Sequence, residues 1–121
     1  MPKSKILVID DEKDMCGLLD KLLSIEGYIV KIVANGAEAL KLVKIEFFDL
    51  VLCDWVVLGV YGNDLIKALK KLKKRPKIGI ITGWNGKLMS IENRNMNVDF
   101  IARKPFDLSW LSRQINDVIS A

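Results

Sequence analysis

Short runs of apolar residues recur along the chain and alternate with stretches in which apolar residues stand three and four positions apart. Runs of this length predict β-strands, and the continuously apolar one at 50–54 also predicts burial on both faces. They cover residues 5–10, 28–33, 50–54, 77–82 and 98–103. The run at 50–54 holds four apolar residues and ends in a carboxylate, Asp54, and we take it as the strand around which the others are arranged.

The stretches between the runs predict helices, at residues 11–27, 35–46, 62–75 and 87–94 and in a last segment that Asp107 caps. Gly27 suits the position just past a helix end. Asn35 and Glu38 have the spacing of a capping box. Pro76 must end the third helix, and residues 56–61 are expected to form an apolar loop.

The helical spacing also predicts which side chains are buried. The stripe on the first helix consists of Met15, Leu18, Leu19, Leu22 and Leu23, and the stripe on the last consists of Leu108, Leu111, Ile115, Val118 and Ile119. Strands that alternate with helices predict an α/β protein with a parallel sheet covered on both sides. We expect one domain, residues 1–121, with a doubly wound, flavodoxin-like sheet of five strands in the order 2-1-3-4-5 and five helices.

The composition removes several classes of function. The chain has no histidine, which excludes Ser-His and Cys-His nucleophile pairs, histidine metal sites and histidine phosphocarriers. The spacing of Cys16 and Cys53 suits neither a redox pair nor a zinc site, so both are expected to be buried free thiols. No apolar run has membrane-spanning length and the N-terminus does not resemble a signal peptide, so we expect a cytoplasmic protein without a membrane partner.

The net charge of +4 has a local origin. Seven cations stand in one segment without an acid between them, and the rest of the chain therefore has a net charge of −3. The seven are Lys67, Lys70, Lys71, Lys73, Lys74, Arg75 and Lys77. They indicate either a solvated helix face or a surface for nucleic acid or an acidic partner. Few aromatic residues accompany them and no reading helix is evident, so nucleic acid is the less favoured partner.

Polar residues stand at or directly after the ends of four predicted strands. They are Asp10 with Asp11, then Asp54, Thr82 and Lys104. The carboxyl ends of parallel strands open on one edge of the sheet, where ligands bind in this kind of fold. Carboxylates gathered there repel one another, and oxygen ligands of this kind suit Mg²⁺. An aspartate after a strand is also a common helix cap, so the functional interpretation depends on the joint placement.

These motifs resemble those of a response-regulator receiver domain over essentially the whole chain. The resemblance depends on Asp10-Asp11-Glu12, on Cys53-Asp54 with Gly62 beyond it, on Thr82-Gly83 and on Lys104-Pro105-Phe106. It implies that Asp54 accepts a phosphoryl group from the phosphohistidine of a sensor kinase or phosphotransfer protein. It also implies that the chain catalyses only its own phosphorylation and dephosphorylation, and signals by altered binding to an effector or a fused output domain.

The resemblance further implies the roles of the other site residues. Asp10, Asp11 and Asp54 would hold Mg²⁺ together with the backbone carbonyl of Val56. Lys104 and Thr82 would contact the phosphoryl oxygens, and the bond between Lys104 and Pro105 would be cis.

Several positions differ from the family pattern. Val57 and Leu58 replace a usual Met-Pro pair, and Ile101 replaces a usual aromatic switch residue, with Phe100 on the opposite strand face. One alternative is therefore a pseudo-receiver that binds a partner without phosphorylation. Val56 and Trp84 occupy positions whose side chains flank the phosphoryl group in the family, and neither side chain is suited to orient an attacking water. We therefore predict slow self-dephosphorylation.

Two functions of different classes suit the sequence less well. A flavin mononucleotide carrier of similar fold would need a phosphate-binding loop after the first strand, where Asp10, Asp11 and Glu12 would repel phosphate. A hydrolase of the aspartyl-phosphate type would need a second acid at Val56. Trp110 lies off the buried stripe of the last helix, so it indicates either a partner or dimer face or an ordinary packed tryptophan. The dimer that we consider would form through the fourth helix, fifth strand and fifth helix.

Overall fold

A computed structural model describes residues 3–58, 61–83 and 98–121. Its strands form one sheet in which all pairs are parallel and the order is β2-β1-β3-β4-β5. They are β1 (Lys5–Ile9), β2 (Ile29–Val33), β3 (Leu50–Asp54), β4 (Lys77–Thr82) and β5 (Phe100–Arg103). The predicted fold class and strand order are confirmed. β3 is buried along its whole length, as expected for the middle strand of a covered sheet.

The helices of the described residues are α1 (Lys13–Ile25), α2 (Gly36–Ile45), α3 (Trp55–Leu58), α4 (Gly62–Lys70) and α5 (Leu108–Ser120). Asn35 Oδ1 accepts from the backbone N–H of Glu38 at 2.9 Å, and Asp107 caps α5 through the N–H of Ser109 at 2.7 Å. Gly27 follows α1 with φ +96°, so all three predicted end signals are confirmed. The helix predicted at 87–94, and Trp84, lie outside the described residues. No helix of the described part is long and apolar enough to cross a membrane.

Two apolar cores lie on opposite faces of the sheet. On one face α2 and α4 cover the strands, and on the other α1 and α5 do so. Phe100 belongs to the α1 and α5 side, while Ile101 packs on the other, so their predicted opposite placement is confirmed. Trp110 is partly buried against the α1 and α5 core, as an ordinary packed tryptophan is.

Several boundaries differ from the predictions. Trp55–Leu58 is a short helix, where a loop was expected at 56–61, because Asp54 holds the N–H of Val56 and so turns the chain. α4 already ends at Lys70, well before Pro76, and β5 begins at Phe100. Leu18 was expected in the buried stripe but is 46% exposed, since only Leu19 and Leu23 of α1 are fully buried.

The strand register fixes which ends meet. Ile9 pairs with Cys53, and Asp54 pairs with Ile81. Asp10 and Asp54 therefore leave neighbouring strands at the same edge, and Lys104 leaves β5 two strands away from β3. Alternate side chains of a strand point to the same face of the sheet. Asp10 and Asp54 therefore lie on the face that α1 and α5 cover.

Candidate functional site

Asp54 ends β3 and is almost completely buried, with 7% of its surface exposed. Its Oδ1 accepts a hydrogen bond from the backbone N–H of Val56 at 3.0 Å. Its Oδ2 accepts from Nζ of Lys104, also at 3.0 Å. The backbone bond fixes the orientation of the carboxylate, and the lysine compensates its charge.

Asp10 follows β1 and is 2% exposed. Its Oδ1 accepts from the N–H of Glu12 at 3.0 Å, while its Oδ2 is buried and has no hydrogen-bond partner among the described residues. Burial raises the pKa of Asp10 above its ordinary value, and the charge of Asp54 raises it further, whereas the Glu12 N–H and Lys104 oppose the shift. A buried carboxylate oxygen without a donor is costly, so this atom needs a cation or a proton.

Lys104 lies between the acids. Besides the bond to Asp54, its Nζ is 3.9 Å from Oε2 of Glu12. Partial burial alone would lower the pKa of Lys104, but the hydrogen bond and charge of Asp54, with the charges of Asp10 and Glu12, raise it above its ordinary value. The lysine is therefore charged at neutral pH and held at Asp54.

Thr82 ends β4 and is buried, with 1% of its surface exposed. Its carbonyl oxygen accepts from the backbone N–H of Lys104 at 2.8 Å, so β4 positions the start of the loop that carries the lysine. The peptide bond between Lys104 and Pro105 is cis, as the resemblance implied.

The structure thus brings Asp10, Asp54 and Lys104 together, but it leaves Asp11 exposed beside them. Within the described ranges, no three acidic, cysteine or histidine side chains are arranged to hold a metal. The contact seen for Val56 is made by its N–H, so the ligand roles of Asp11 and of the Val56 carbonyl remain predictions. Two carboxylates with one unpartnered oxygen nevertheless fit Mg²⁺, which takes one or two protein carboxylates and keeps several waters.

Two contacts at the site were not predicted. Glu12 reaches towards Lys104, and the thiol of Cys16 donates to the backbone carbonyl of Asp10 at 3.2 Å. Cys16 is only partly buried, which corrects the expectation of two buried thiols, whereas Cys53 is fully buried. Burial, with a smaller contribution from Asp54, raises the pKa of Cys53 to about 12, so that thiol is inert. Glu12 belongs to the Asp10-Asp11-Glu12 motif, but its contact with Lys104 has no sequence signal, and Cys16 has none beyond its position in the first turn of α1.

We expect Asp10→Asn to stabilise the metal-free protein at neutral pH. Since the pKa of Asp10 is raised in the folded state, its protonated form favours folding, and that stability is lost as the pH rises from about 4. Asparagine keeps the acceptor for the Glu12 N–H and removes the charge, which should raise the free energy of unfolding by about 1–2 kcal/mol at pH 7.

Urea unfolding in the presence of a metal chelator measures the difference in free energy of unfolding between the variant and the wild type. The measurements are made at pH 5 and pH 7, about one unit above and well above the ordinary aspartate pKa. Asp20→Asn on the exposed side of α1 is the matched control and should change little. A variant that is less stable than the wild type at neutral pH would contradict the assignment of Asp10 as an uncompensated charge.

Comparison with known proteins decides the family. The family model described as the response regulator receiver domain matches residues 6–116. The chain belongs to this family. The match covers every described element except the first residue of β1 and the end of α5. The receiver domain is the signal-receiving part of two-component response regulators.

Curated relatives of this receiver domain differ in length. Sporulation initiation phosphotransferase F of Bacillus subtilis is 32% identical over 108 residues, which are 89% of this chain and 87% of that protein. The transcriptional regulatory protein CpxR of Escherichia coli is 30% identical over 116 residues, which are 96% of this chain but 49% of that protein. The chain therefore spans about half the length of several relatives that it matches.

Solved structures agree with the fold. A CheY-like response regulator receiver domain protein from Methanospirillum hungatei has a TM-score of 0.85 at 29% identity, covering 98% of this chain and 95% of that one. A receiver domain protein from Clostridium thermocellum has a TM-score of 0.82 at 28% identity, covering 97% and 94%. At these identities the similarity supports a shared family as well as a shared fold.

Proposed function

We propose that this receiver domain is a phosphoacceptor in which Asp54 takes a phosphoryl group from a phosphohistidine in a Mg²⁺-dependent reaction. The observation that carries the proposal is the arrangement of Asp54, Asp10 and Lys104 at the end of β3. Asp54 is held by a backbone N–H and by a lysine, and the neighbouring Asp10 has a buried carboxylate oxygen to which no described residue donates. Such a set suits a positioned nucleophile with a cation site next to it.

In the proposed reaction a carboxylate oxygen of Asp54 attacks phosphorus while the bond from phosphorus to the histidine nitrogen breaks. The nitrogen leaves with the bonding electrons, and the product is an aspartyl phosphate. Phosphoryl transfer of this kind spreads charge over the equatorial oxygens, so a protein contributes mainly positioning and positive charge. The Val56 N–H supplies the positioning, and Lys104, already at 3.0 Å from Asp54, supplies the charge.

Asp10 and Asp54 are the residues that would hold Mg²⁺, with Asp11 and the Val56 carbonyl as further ligands. Bound there, the ion would supply positive charge to the oxygens of the transferring group. The raised pKa of Asp10 supports this assignment, since a carboxylate that is destabilised by burial and by a neighbouring acid gains most from a cation. Thr82, buried at the end of β4, would offer its hydroxyl to a phosphoryl oxygen.

The partner classes follow from this chemistry. The donor would be a sensor histidine kinase or a histidine phosphotransfer protein, and the effect would be a change in binding to an effector or an attached output domain. The chain would not act as an enzyme on other substrates. The name of the B. subtilis relative, a phosphotransferase of sporulation initiation, supports a role in phosphotransfer.

A Mg²⁺ titration followed by addition of beryllofluoride, an analogue of the phosphoryl group, tests the proposal. Trp55 directly follows Asp54, so we expect its fluorescence to respond to binding at the site. We expect a saturable change with Mg²⁺ and a second change with beryllofluoride that requires the metal.

Asp10→Asn should lose both responses, and Asp20→Asn should keep them. If calorimetry detects no heat of Mg²⁺ binding to the wild type and beryllofluoride has no effect, the phosphoacceptor proposal is wrong and a pseudo-receiver is the better description.

We also expect the phosphorylated form to be long-lived. The side chain of Val56 is 53% exposed next to the site and carries no polar group that could orient an attacking water. Val56→Asn adds an amide there and should speed release of phosphate by about tenfold, within the range for added general-base or water-orienting groups. The measurement is the loss of aspartyl phosphate with time after removal of the phosphodonor.

Tyr61→Asn is a suitable control, because Tyr61 is also exposed beyond β3 but forms no hydrogen bond with Asp54 in the described structure. A wild type that already loses its phosphate rapidly, and that Val56→Asn leaves unchanged, would end this prediction.

A further inference from the structure

A groove runs between α2 and α4, on the face of the sheet that does not carry α1 and α5. It has a volume of about 430 Å³ and is lined by Leu40, Lys44, Asp64, Lys67, Ala68 and Lys71. Asp64, Lys67, Ala68 and Lys71 have the spacing of a single helix face. We call this feature the α2–α4 groove.

The α2–α4 groove has an apolar floor and a basic rim. Leu40 and Ala68 are half-buried, whereas Lys44, Lys67 and Lys71 are exposed. Asp64 lies in the first turn of α4 and is the one acid of the lining, at the end opposite Lys71. Three cations to one acid leave the rim positive.

The positive charge extends past the end of α4. The cations of the segment Lys67, Lys70, Lys71, Lys73, Lys74, Arg75 and Lys77 form no ion pair with any residue of the described structure. Lys67 and Lys70 lie in the last turn of α4, where they complement the partial negative charge of the helix end. That role does not account for the cations that follow, and unpaired like charges in one segment repel one another.

Exposed apolar side chains adjoin the basic rim. Ile45, directly after Lys44, is 83% exposed, and Phe47 is 44% exposed with Nζ of Lys74 at 5.3 Å from its ring centroid. Apolar side chains next to unpaired cations are typical of a surface that buries them against a partner.

We propose that the α2–α4 groove docks an acidic amphipathic segment of a partner protein, with apolar side chains on Leu40 and Ala68 and carboxylates facing Lys44, Lys67 and Lys71. A concave groove between two helices accepts the apolar face of such a segment. A flat bilayer surface would not fit into the groove in this way. The planar guanidinium of arginine is the preferred group for nucleic-acid recognition, whereas the cations of the groove are all lysines, which favours a protein partner. This docking does not depend on phosphorylation of Asp54.

The test uses the unphosphorylated full chain and a fluorescein-labelled peptide of about 14 residues, roughly four helical turns, with leucines at helical spacing and glutamates elsewhere. Fluorescence anisotropy should show saturable binding. Lys67→Glu with Lys71→Glu should weaken it by at least about tenfold, as expected for reversal of two rim charges. Ala68→Gln, which keeps the charge and fills the floor, should weaken it similarly, by about tenfold.

Lys21→Glu with Arg113→Glu is the matched control, because it makes the same change of net charge at exposed positions on α1 and α5. It should change affinity by less than about twofold. Equal binding of a peptide with the leucines out of helical register, or an equal loss in the control, would overturn the proposal. So would failure to bind the peptide while phosphatidylserine vesicles or duplex DNA bind through Lys67 and Lys71.

Discussion

Replacing Asp54 with asparagine is expected to abolish phosphorylation, with a fall of at least about a thousandfold in the rate of phosphoryl incorporation, the scale seen when a nucleophile is removed. The amide retains the size of the side chain and an acceptor for the Val56 N–H. It is a poor nucleophile, however, and it no longer forms the ion pair with Lys104. Incorporation of label from radioactive acetyl phosphate in the presence of Mg²⁺ measures the effect.

Asp117→Asn is the matched control for this variant. Asp117 is exposed on α5, far from β3 in the chain, and its loss makes the same change of charge. It should be labelled as fast as the wild type. Undiminished labelling of Asp54→Asn would mean that another residue is the acceptor.

Replacing Lys104 with methionine is expected to separate metal binding from transfer. The rate of phosphorylation should fall by about a hundredfold, because a positioned cation that stabilises the developing charge is removed. Mg²⁺ should bind at least as tightly as in the wild type, because Asp10 and Asp54 lose the cation that competes for them. Initial rates with acetyl phosphate and a Mg²⁺ titration give the two quantities.

Lys21→Met, an exposed change on α1, controls for the lost charge and should alter neither quantity. An unchanged rate in Lys104→Met would remove the lysine from the mechanism. An equal loss of metal affinity would show that Lys104 supports the fold of the site rather than the transfer.

The sheet could be predicted because short apolar runs alternate with helical spacing along the chain and the central run, β3, is apolar up to Asp54. Such a pattern has few interpretations, and right-handed crossovers then restrict the strand order. The helix ends at Asn35, Gly27 and Asp107 were equally readable, since each depends on a local hydrogen bond or a positive φ that one residue type supplies.

The connections were harder to predict, because tertiary contacts determine them. α3 follows from the bond between the Asp54 carboxylate and the Val56 N–H, which apolar spacing does not reveal. Leu18 has the right spacing for the α1 stripe, but the stripe that the sheet covers is narrow and centred on Leu19 and Leu23. Spacing gives a helix face, and the neighbours decide how much of that face is covered.

The candidate site could be predicted as a set of residues but not as an arrangement. The positions of Asp10, Asp54 and Lys104 follow from the strand ends, and the structure brings them together. Three features of the site depend on side-chain orientation: the unpartnered oxygen of Asp10, the approach of Glu12 to Lys104 and the hydrogen bond donated by the Cys16 thiol. No sequence pattern carries that information.

The most direct test of the phosphoacceptor claim is to locate the phosphoryl group itself. Wild-type protein is incubated with acetyl phosphate in Mg²⁺ or in a metal chelator, and tandem mass spectrometry of its peptides identifies the modified side chain. We predict a single phosphoryl group on Asp54 in Mg²⁺ and none in the chelator. Modification of a different residue, or the same yield on Asp54 without metal, would contradict the phosphoacceptor claim.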